Sequence, residues 1–325
     1  MSSTLELENS ATRVNGRAPL RACRPATLRD WITAQSRVRL GRLDRYPAIR
    51  RSRDRIVKTL AHAGSSIEFD TEYGFKMFLP ASYVGMIIMA LDGVLFHPTL
   101  VDVAAKAIRP GDIVIDGGSN VGFFTLLAGR LLQGKGRVFA FEPDPDSFEL
   151  LRKNVECNGL RGVTEMAELA LTNSNGSFDF SVAVDEPMLS GLLARPDIPG
   201  RVIRVRGMRL DDYLKALGQR HVDVIKLDLE GAEPEALLGM REALRSARLL
   251  VFEVNEPQLK AVGVDSLTLI RQTAEAGSFD YVAFIDERNN RICPWDQEDF
   301  LRVLQDYKFV NVLCAKRSCF PDGLL

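Results

Sequence analysis

The stretch Asp112–Asp144, DIVIDGGSNVGFFTLLAGRLLQGKGRVFAFEPD, decides the fold. An apolar β-branched run, Ile113-Val114-Ile115, leads to an acid, Asp116, and into a turn of Gly117, Gly118, Ser119, Asn120, Val121 and Gly122. Phe123 to Leu132 is apolar and strong in helix formers, and it gives way at Gly134. A second apolar run, Val138-Phe139-Ala140-Phe141, stops at Glu142 with Pro143 behind it. Strand, glycine turn, helix, strand and acid make the layout of a nucleotide-binding βαβ unit, and so predict an α/β doubly wound sheet. The glycines permit positive φ and a close approach of ligand to backbone. The helix start offers unpaired N–H groups, and a carboxylate ending the second strand can take both hydroxyls of a ribose.

The choice of nucleotide turns on two residues. The dinucleotide fingerprint is G-x-G-x-x-G, and Ser119 stands where the middle glycine would let the backbone meet a pyrophosphate. Asp116 would repel that pyrophosphate, so an NAD-dependent oxidoreductase is the weaker alternative. The same carboxylate would attract an ammonium. An adenosine with an amino-acid tail and no phosphate is S-adenosylmethionine. Asp116, Gly118, Asn120 and Gly122 are then the candidates for its methionine end and Glu142 for its ribose.

Three segments, VIDGGSNVGFFT (114–125), FEPDPDSFELLRKNVECNG (141–159) and VDVIKLDLEGAEPEALLGM (222–240), resemble the FkbM-type S-adenosylmethionine-dependent methyltransferases. The resemblance runs from about Glu68 to Asn255, with a weaker tail. The glycine turn is moderately specific, and its combination with KLDLEGAE strongly so. It implies a class I methyltransferase (Rossmann-like) fold and O-methylation of a hydroxyl on a secondary metabolite or sugar. In that fold the sheet has seven strands, the last antiparallel, and the end of the third strand, near Glu168 and Ala170, passes the adenine. In the resembled family a Glu commonly stands where His97 falls here, ahead of the same Pro98; His97 is an alternative general base on its ordinary pKa, against the blander reading of a surface histidine.

The 325-residue chain is 46% hydrophobic and 26% charged, with a net charge of −1. These are the proportions of a globular protein with a full core, and no global field favours nucleic acid or an anionic membrane. Five scattered cysteines without a CxxC pair, and three histidines, leave little for a zinc site and suit a reducing, cytoplasmic setting. No apolar run reaches the ~18 residues of a membrane span. Glu6 and Glu8, with no apolar h-region, argue against a secretory leader.

Residues 1–65 are expected to form an Arg-rich extension, mobile to about Ala26 and then helical around Leu28, Trp31 and Ile32 and around Ile49, Ile56 and Leu60. Its arginines are interleaved with Asp30, Asp44 and Asp54, which favours a solvated extension that covers the site or mediates homo-oligomerisation over a nucleic-acid arm. The methyltransferase domain is expected over 66–325, as an N-terminal hairpin and helices (66–110) and a Rossmann-like core (111–325). A hairpin is expected about Tyr73-Gly74, helices at Ser82–Leu91, Thr99–Ile108 and Ser147–Asn158, and a third strand at Val163–Leu171. A Pro-rich loop, Asp185–Gly200, follows the strand Ser177–Val184 and is expected to touch substrate.

The second centre is Val222–Met240. Alternation from Val224 to Glu230 places Lys226, Asp228 and Glu230 on one face, and Gly231-Ala232-Glu233-Pro234 opens a helix with Glu233 as a capping residue. Strand ends at the point where strand order reverses face the ligand, so Asp228 or Glu230 would position substrate or remove its proton. Asp228, Glu253 and Asn255 also offer hard oxygen ligands for Mg²⁺, against hydrogen bonding to substrate or loops as the simpler explanation. The expected partner is a small-molecule or carbohydrate hydroxyl acceptor. A non-catalytic methyltransferase-like binding module is the other alternative.

Overall fold

The computed structural model describes residues 66–71, 73–80, 83, 98–183, 190–193, 200–286 and 289–320, with the backbone of 24–25. In chain order, β1 (Arg24–Pro25), β2 (Ser66–Asp70) and β3 (Lys76–Pro80) make a small antiparallel sheet. Then come α1 (Pro98–Ala107), β4 (Ile113–Gly117), α2 (Phe123–Leu131), β5 (Arg137–Phe141), α3 (Pro145–Cys157) and β6 (Thr164–Ala167). A second small sheet holds β7 (Ala170–Leu171), β8 (Gly176–Ala183) and β9 (Gly200–Met208). The chain continues through α4 (Leu210–Ala216), β10 (Val224–Leu227), α5 (Glu233–Leu238), α6 (Arg241–Ser246), β11 (Leu249–Asn255), α7 (Glu256–Ala261) and α8 (Ser266–Gly277). It ends with β12 (Tyr281–Asp286), β13 (Arg291–Pro294), α9 (Gln297–Tyr307) and β14 (Phe309–Ala315).

The main sheet runs β13-β12-β14-β11-β10-β4-β5-β6. β6, β5, β4, β10 and β11 are parallel, and β14 lies antiparallel between β11 and β12. This is the class I methyltransferase sheet with one strand added. The described residues give eight strands where seven are expected, because β13 folds back on β12. That return rests on Asp286, which accepts from the Asn289 amide (2.7 Å) and from Arg291 Nε (3.2 Å). Its segment, Asp286 to Arg291, is wholly polar and carries no strand signal.

Burial explains the central elements. Every residue of β10 is buried, as in a parallel strand covered on both faces, and Lys226 is its one charged member. Phe124 through Gly129 of α2 are all buried, which fits a helix apolar around its circumference. One core, including Val114, Leu126 and Leu151, lies on one side of the sheet; the other, including Ile115, Phe139 and Phe252, lies opposite. Each such fully buried large side chain contributes roughly 1.5–3 kcal/mol. At the amino ends of the strands Arg248 bridges Asp112 and Asp223 (2.7 Å to the latter) and donates to the Ala107 carbonyl (2.7 Å).

The hairpin about Tyr73-Gly74 forms as expected and is docked by two amides of α3. Asn158 accepts from the Lys76 N–H (2.8 Å) and donates to its carbonyl (2.7 Å). Asn154 treats Phe78 the same way (2.7 and 3.0 Å) and donates also to the Val121 carbonyl (2.8 Å). The free edge of β3 is thus capped by a helix.

Two expectations are corrected. The third strand is not continuous to Leu171: β6 stops at Ala167, the Leu169 N–H turns back to the Ala167 carbonyl (2.9 Å), and β7 leaves to pair with β9. Leu169, Ala170 and Leu171 are all buried, so they need cover on both faces, which the second sheet provides. Strand alternation also fails beyond Leu227, since Glu230 takes a left-handed φ of 52° in a tight turn. The helices at Thr99–Ile108 and Ser147–Asn158 are found within two residues of their expected bounds. The helix expected at Ser82–Leu91, most of the Asp185–Gly200 loop and the extension apart from 24–25 lie outside the described residues. Among the described residues no helix is long and apolar enough to cross a membrane, and Cys157, Cys293, Cys314 and Cys319 are free thiols.

Candidate active site

A cavity of about 480 Å³ opens at the carboxyl ends of β4 and β10, where strand order reverses. On one side its wall is the glycine turn. Gly118 and Ser119 both donate their N–H to the Phe141 carbonyl (3.0 and 2.9 Å), tying the turn to the end of β5. Gly118 has φ +70°, and a Cβ there would overlap the carbonyl oxygen of Asp228. Gly122, with φ +96°, is pressed against Leu151 of α3 and does not line the cavity. Both glycines serve close packing of the chain, and Gly118 lines the cavity as well.

Glu142 stands at the end of β5, only 6% exposed, with its carboxylate on the cavity wall. Oε2 accepts from the Asn120 N–H (2.7 Å) and Oε1 from the Asp144 N–H (2.9 Å). Burial pushes its pKa up to about 7, outweighing the two N–H donors that favour the anion. Asn120 is held with φ 49° because its own side-chain carbonyl accepts from the Val121 N–H (2.7 Å) and from the Tyr83 hydroxyl (2.8 Å). Tyr83 also meets Ser147 Oγ (3.3 Å), and burial raises its phenol.

Asp116 is fully buried and does not reach the cavity. Thr125 donates to its Oδ2 (2.5 Å), and Lys226 Nζ lies 3.3 Å from Oδ1. Lys226, 8% exposed, stands between Asp116 and the cavity, donating to the Gly118 carbonyl (3.0 Å) with Asp228 3.7 Å away. Burial works against its charge, but Asp116 and Asp228 outweigh it, so its pKa is raised. The expected contact of Asp116 with an ammonium is thereby corrected: the residue is neutralised from within by an ammonium of the chain.

Beyond Lys226 the far wall is acidic. Carboxylate oxygens of Asp228, Glu230 and Glu253 all lie within 4.8 Å of one another. Gln258 Nε2 donates to Glu230 (3.1 Å). Glu253 is held well above the carboxylate range, first by burial and then by repulsion from Asp228 and Glu230. Of the set read from the sequence as Mg²⁺ ligands, Asp228 and Glu253 come together with Glu230, and the Asn255 amide donates to Glu253 (3.3 Å). Glu233 accepts from the N–H groups of Leu229 (2.6 Å) and Gly231 (3.0 Å), so it caps the turn carrying Asp228 and Glu230 rather than its own helix. Leu169, Ala170 and Leu171 supply an apolar wall, with Phe180 and Leu192 above them.

Of the residues singled out, Gly118, Asn120, Glu142, Ala170, Asp228 and Glu230 line one cavity, Asp116 and Gly122 stand behind it, and His97 lies outside the described residues. From the Pro-rich loop, Ser190 and Leu192 reach the wall. Sequence reasoning missed Lys226 as a wall residue, Tyr83 and Asn311. For Asn311 a signal exists, a lone amide inside the apolar run FVNVLCA; for Tyr83 there is none.

The family described as the Methyltransferase FkbM domain matches residues 116–292, more than half of the chain. The 2-O-methyltransferase NoeI of Sinorhizobium fredii is 30% identical over 170 residues, covering 46% of this chain and 66% of that protein. Hexuronic acid methyltransferase AglP of Haloferax volcanii is 27% identical over 165 residues, covering 51% and 62%. 31-O-demethyl-FK506 methyltransferase FkbM of Streptomyces tacrolimicus is 27% identical over 178 residues, covering 46% and 67%. The matched stretches thus span about two thirds of these relatives' own lengths, or slightly less.

Proposed function

Because the chain belongs to the methyltransferase FkbM family, we propose that it is an S-adenosylmethionine-dependent O-methyltransferase acting on a hydroxyl of a sugar or secondary metabolite. The observation that carries this reading is Glu142, a carboxylate at the end of the second parallel strand whose two oxygens are each anchored by a backbone N–H. Each oxygen keeps accepting capacity beyond its backbone partner, and Glu142 lines the cavity, a fit to the paired hydroxyls of a ribose. Ala170, with Leu169 and Leu171, suits the flat face of an adenine, and the Gly118–Asn120 turn suits the methionine end. Lys226 is the one cation on the described wall and is shared by Gly118, Asp116 and Asp228, which speaks against a dinucleotide's pyrophosphate.

S-adenosylmethionine, when bound, supplies a methyl on a sulfonium, and its transfer to an oxygen leaves a neutral thioether and one proton. The chain therefore has two tasks, to aim the hydroxyl and to accept that proton. Asp228, Glu230 and Glu253 are grouped for the second, and burial and the neighbouring acids raise the proton affinity of Glu253. Lys226 Nζ stands 3.7 Å from Asp228, on the side of the glycine turn. The relatives' names carry O-methylation at two positions and methylation of a hexuronic acid, which favours a hydroxyl acceptor. The test is calorimetric titration with S-adenosylhomocysteine, with and without Mg²⁺, followed by transfer of labelled methyl to an acceptor panel. A folded protein that fails to bind would end the reading in favour of a binding module.

A further inference from the structure

The acidic wall continues into a residue that nothing above employs. Asn311 of β14 pairs directly with Glu253 of β11, so both side chains leave the sheet on one face, with Cβ atoms about 5 Å apart. Both line the cavity. Asn311 is only 9% exposed, yet its side-chain amide takes part in no hydrogen bond among the described residues. A mostly buried amide that lines the cavity and has no described partner is placed for a ligand. The charges around it have one sign. Asp228, Glu230 and Glu253 converge, while Lys226, the one cation on the described wall, is already shared by Gly118, Asp116 and Asp228.

We propose that Asn311 and Glu253 form the acceptor subsite and hold two neighbouring oxygens of a polyhydroxylated acceptor that bears no negative charge near the methylated position. Nδ2 of Asn311 donates to one oxygen, while a Glu253 carboxyl oxygen accepts the O–H of the next. Adjacent hydroxyls of a sugar ring offer that acceptor and donor side by side. A carboxylate or phosphate in the same place would meet three acids and no free cation. This subsite rests on the methyltransferase reading, since it fills the part of the cavity left beyond the cofactor.

The experiment uses the full chain saturated with S-adenosylhomocysteine and measures binding of three probes by ligand-observed NMR at constant ionic strength. The probes are methyl glucopyranoside, methyl glucosaminide and methyl glucuronide. Expected is binding of the first two, at least tenfold weaker binding of the glucuronide, and a tenfold or greater loss of glucopyranoside binding in Asn311→Leu. S-adenosylhomocysteine affinity should stay within twofold in that variant, which a general disturbance of the sheet would not allow. Asn311→Ala replaces it if the leucine variant does not fold. Equal or preferred binding of the glucuronide, no glycoside binding, or unchanged binding in the Asn311 variants would each overturn the proposal. Failure of the folded wild type to bind S-adenosylhomocysteine would instead remove the methyltransferase reading, and the subsite with it.

Discussion

Replacing Glu142 by glutamine changes one atom and tests the whole reading of the cofactor wall. Both carboxylate oxygens accept a backbone N–H, from Asn120 at 2.7 Å and from Asp144 at 2.9 Å. An amide has one oxygen, so whichever way it turns its NH₂ faces one of those donors. Leaving such a donor unsatisfied costs about 1–3 kcal/mol of stability, and losing a hydrogen bond from ribose to a charged oxygen costs about 1.5–3 kcal/mol of binding. Affinity for S-adenosylhomocysteine should fall about ten- to a hundredfold. The pH dependence sharpens the test. With a pKa of about 7, Glu142 is mostly protonated at pH 6 and ionised at pH 8, and the proton occupies a lone pair the ribose needs. Wild-type affinity should therefore rise about tenfold, roughly 1.4 kcal/mol, from pH 6 to pH 8, while the glutamine variant stays flat. Calorimetry at pH 6, 7 and 8 measures both. A wild-type profile flat within twofold, or a folded Glu142→Gln that binds within threefold of wild type, would refute the reasoning.

Gly118→Ala should abolish binding and lower thermal stability sharply, since its Cβ overlaps the Asp228 carbonyl at a positive φ; a melting curve within a degree of wild type would contradict this. Arg248→Met strands Asp112 and Asp223 without their cation, and urea denaturation should show a loss of about 3–5 kcal/mol. Asn154→Ala orphans buried backbone groups of Phe78 and Val121 and should cost about 2–4 kcal/mol, whereas Asn158→Ala, on exposed bonds, should cost clearly less. Burial raises the folded pKa of Glu233 to about 7 from 4.5. An acid shifted upward favours the folded state below its unfolded pKa, so stability should decline as pH rises from about 4.5 to 7 and then level off; denaturation midpoints at pH 5 and 8 check the sign.

The parallel core was legible because its signals are local. Ile113-Val114-Ile115 and Val138–Phe141 are β-branched or aromatic runs ended by acids, and Gly118 and Gly122 mark the turn between them. What was not legible depends on contacts far apart in the chain. Asp116 and Lys226 are separated by over a hundred residues, and only the parallel register of β4 and β10 sets them side by side, which turned a presumed ligand contact into an internal ion pair. Glu230 lost its strand face because the left-handed turn at 230–231 intervenes, something Gly231 hints at but alternation cannot express. The split at Ala167 needed knowledge of the second sheet, and β13 has too few apolar residues for any periodicity. Asn311 became meaningful only once β14 was seen opposite Glu253.

The two amides of α3 have a mechanical consequence. The helix begins three residues after Glu142, and its middle and end grip β3 through Asn154 and Asn158. Asn154 reaches the glycine turn as well, through Val121. The helix is therefore a crossbar: the carboxylate suited to a ribose, the turn suited to the amino-acid tail and the outlying hairpin are fastened to one rod. No described residue of the hairpin lines the cavity, so a hairpin so fastened is a brace behind the wall rather than a flap over it. Shortening the chain to begin at 98 would remove the Phe78 partners of Asn154, and the first function to suffer would be grip on the ribose rather than access of the acceptor.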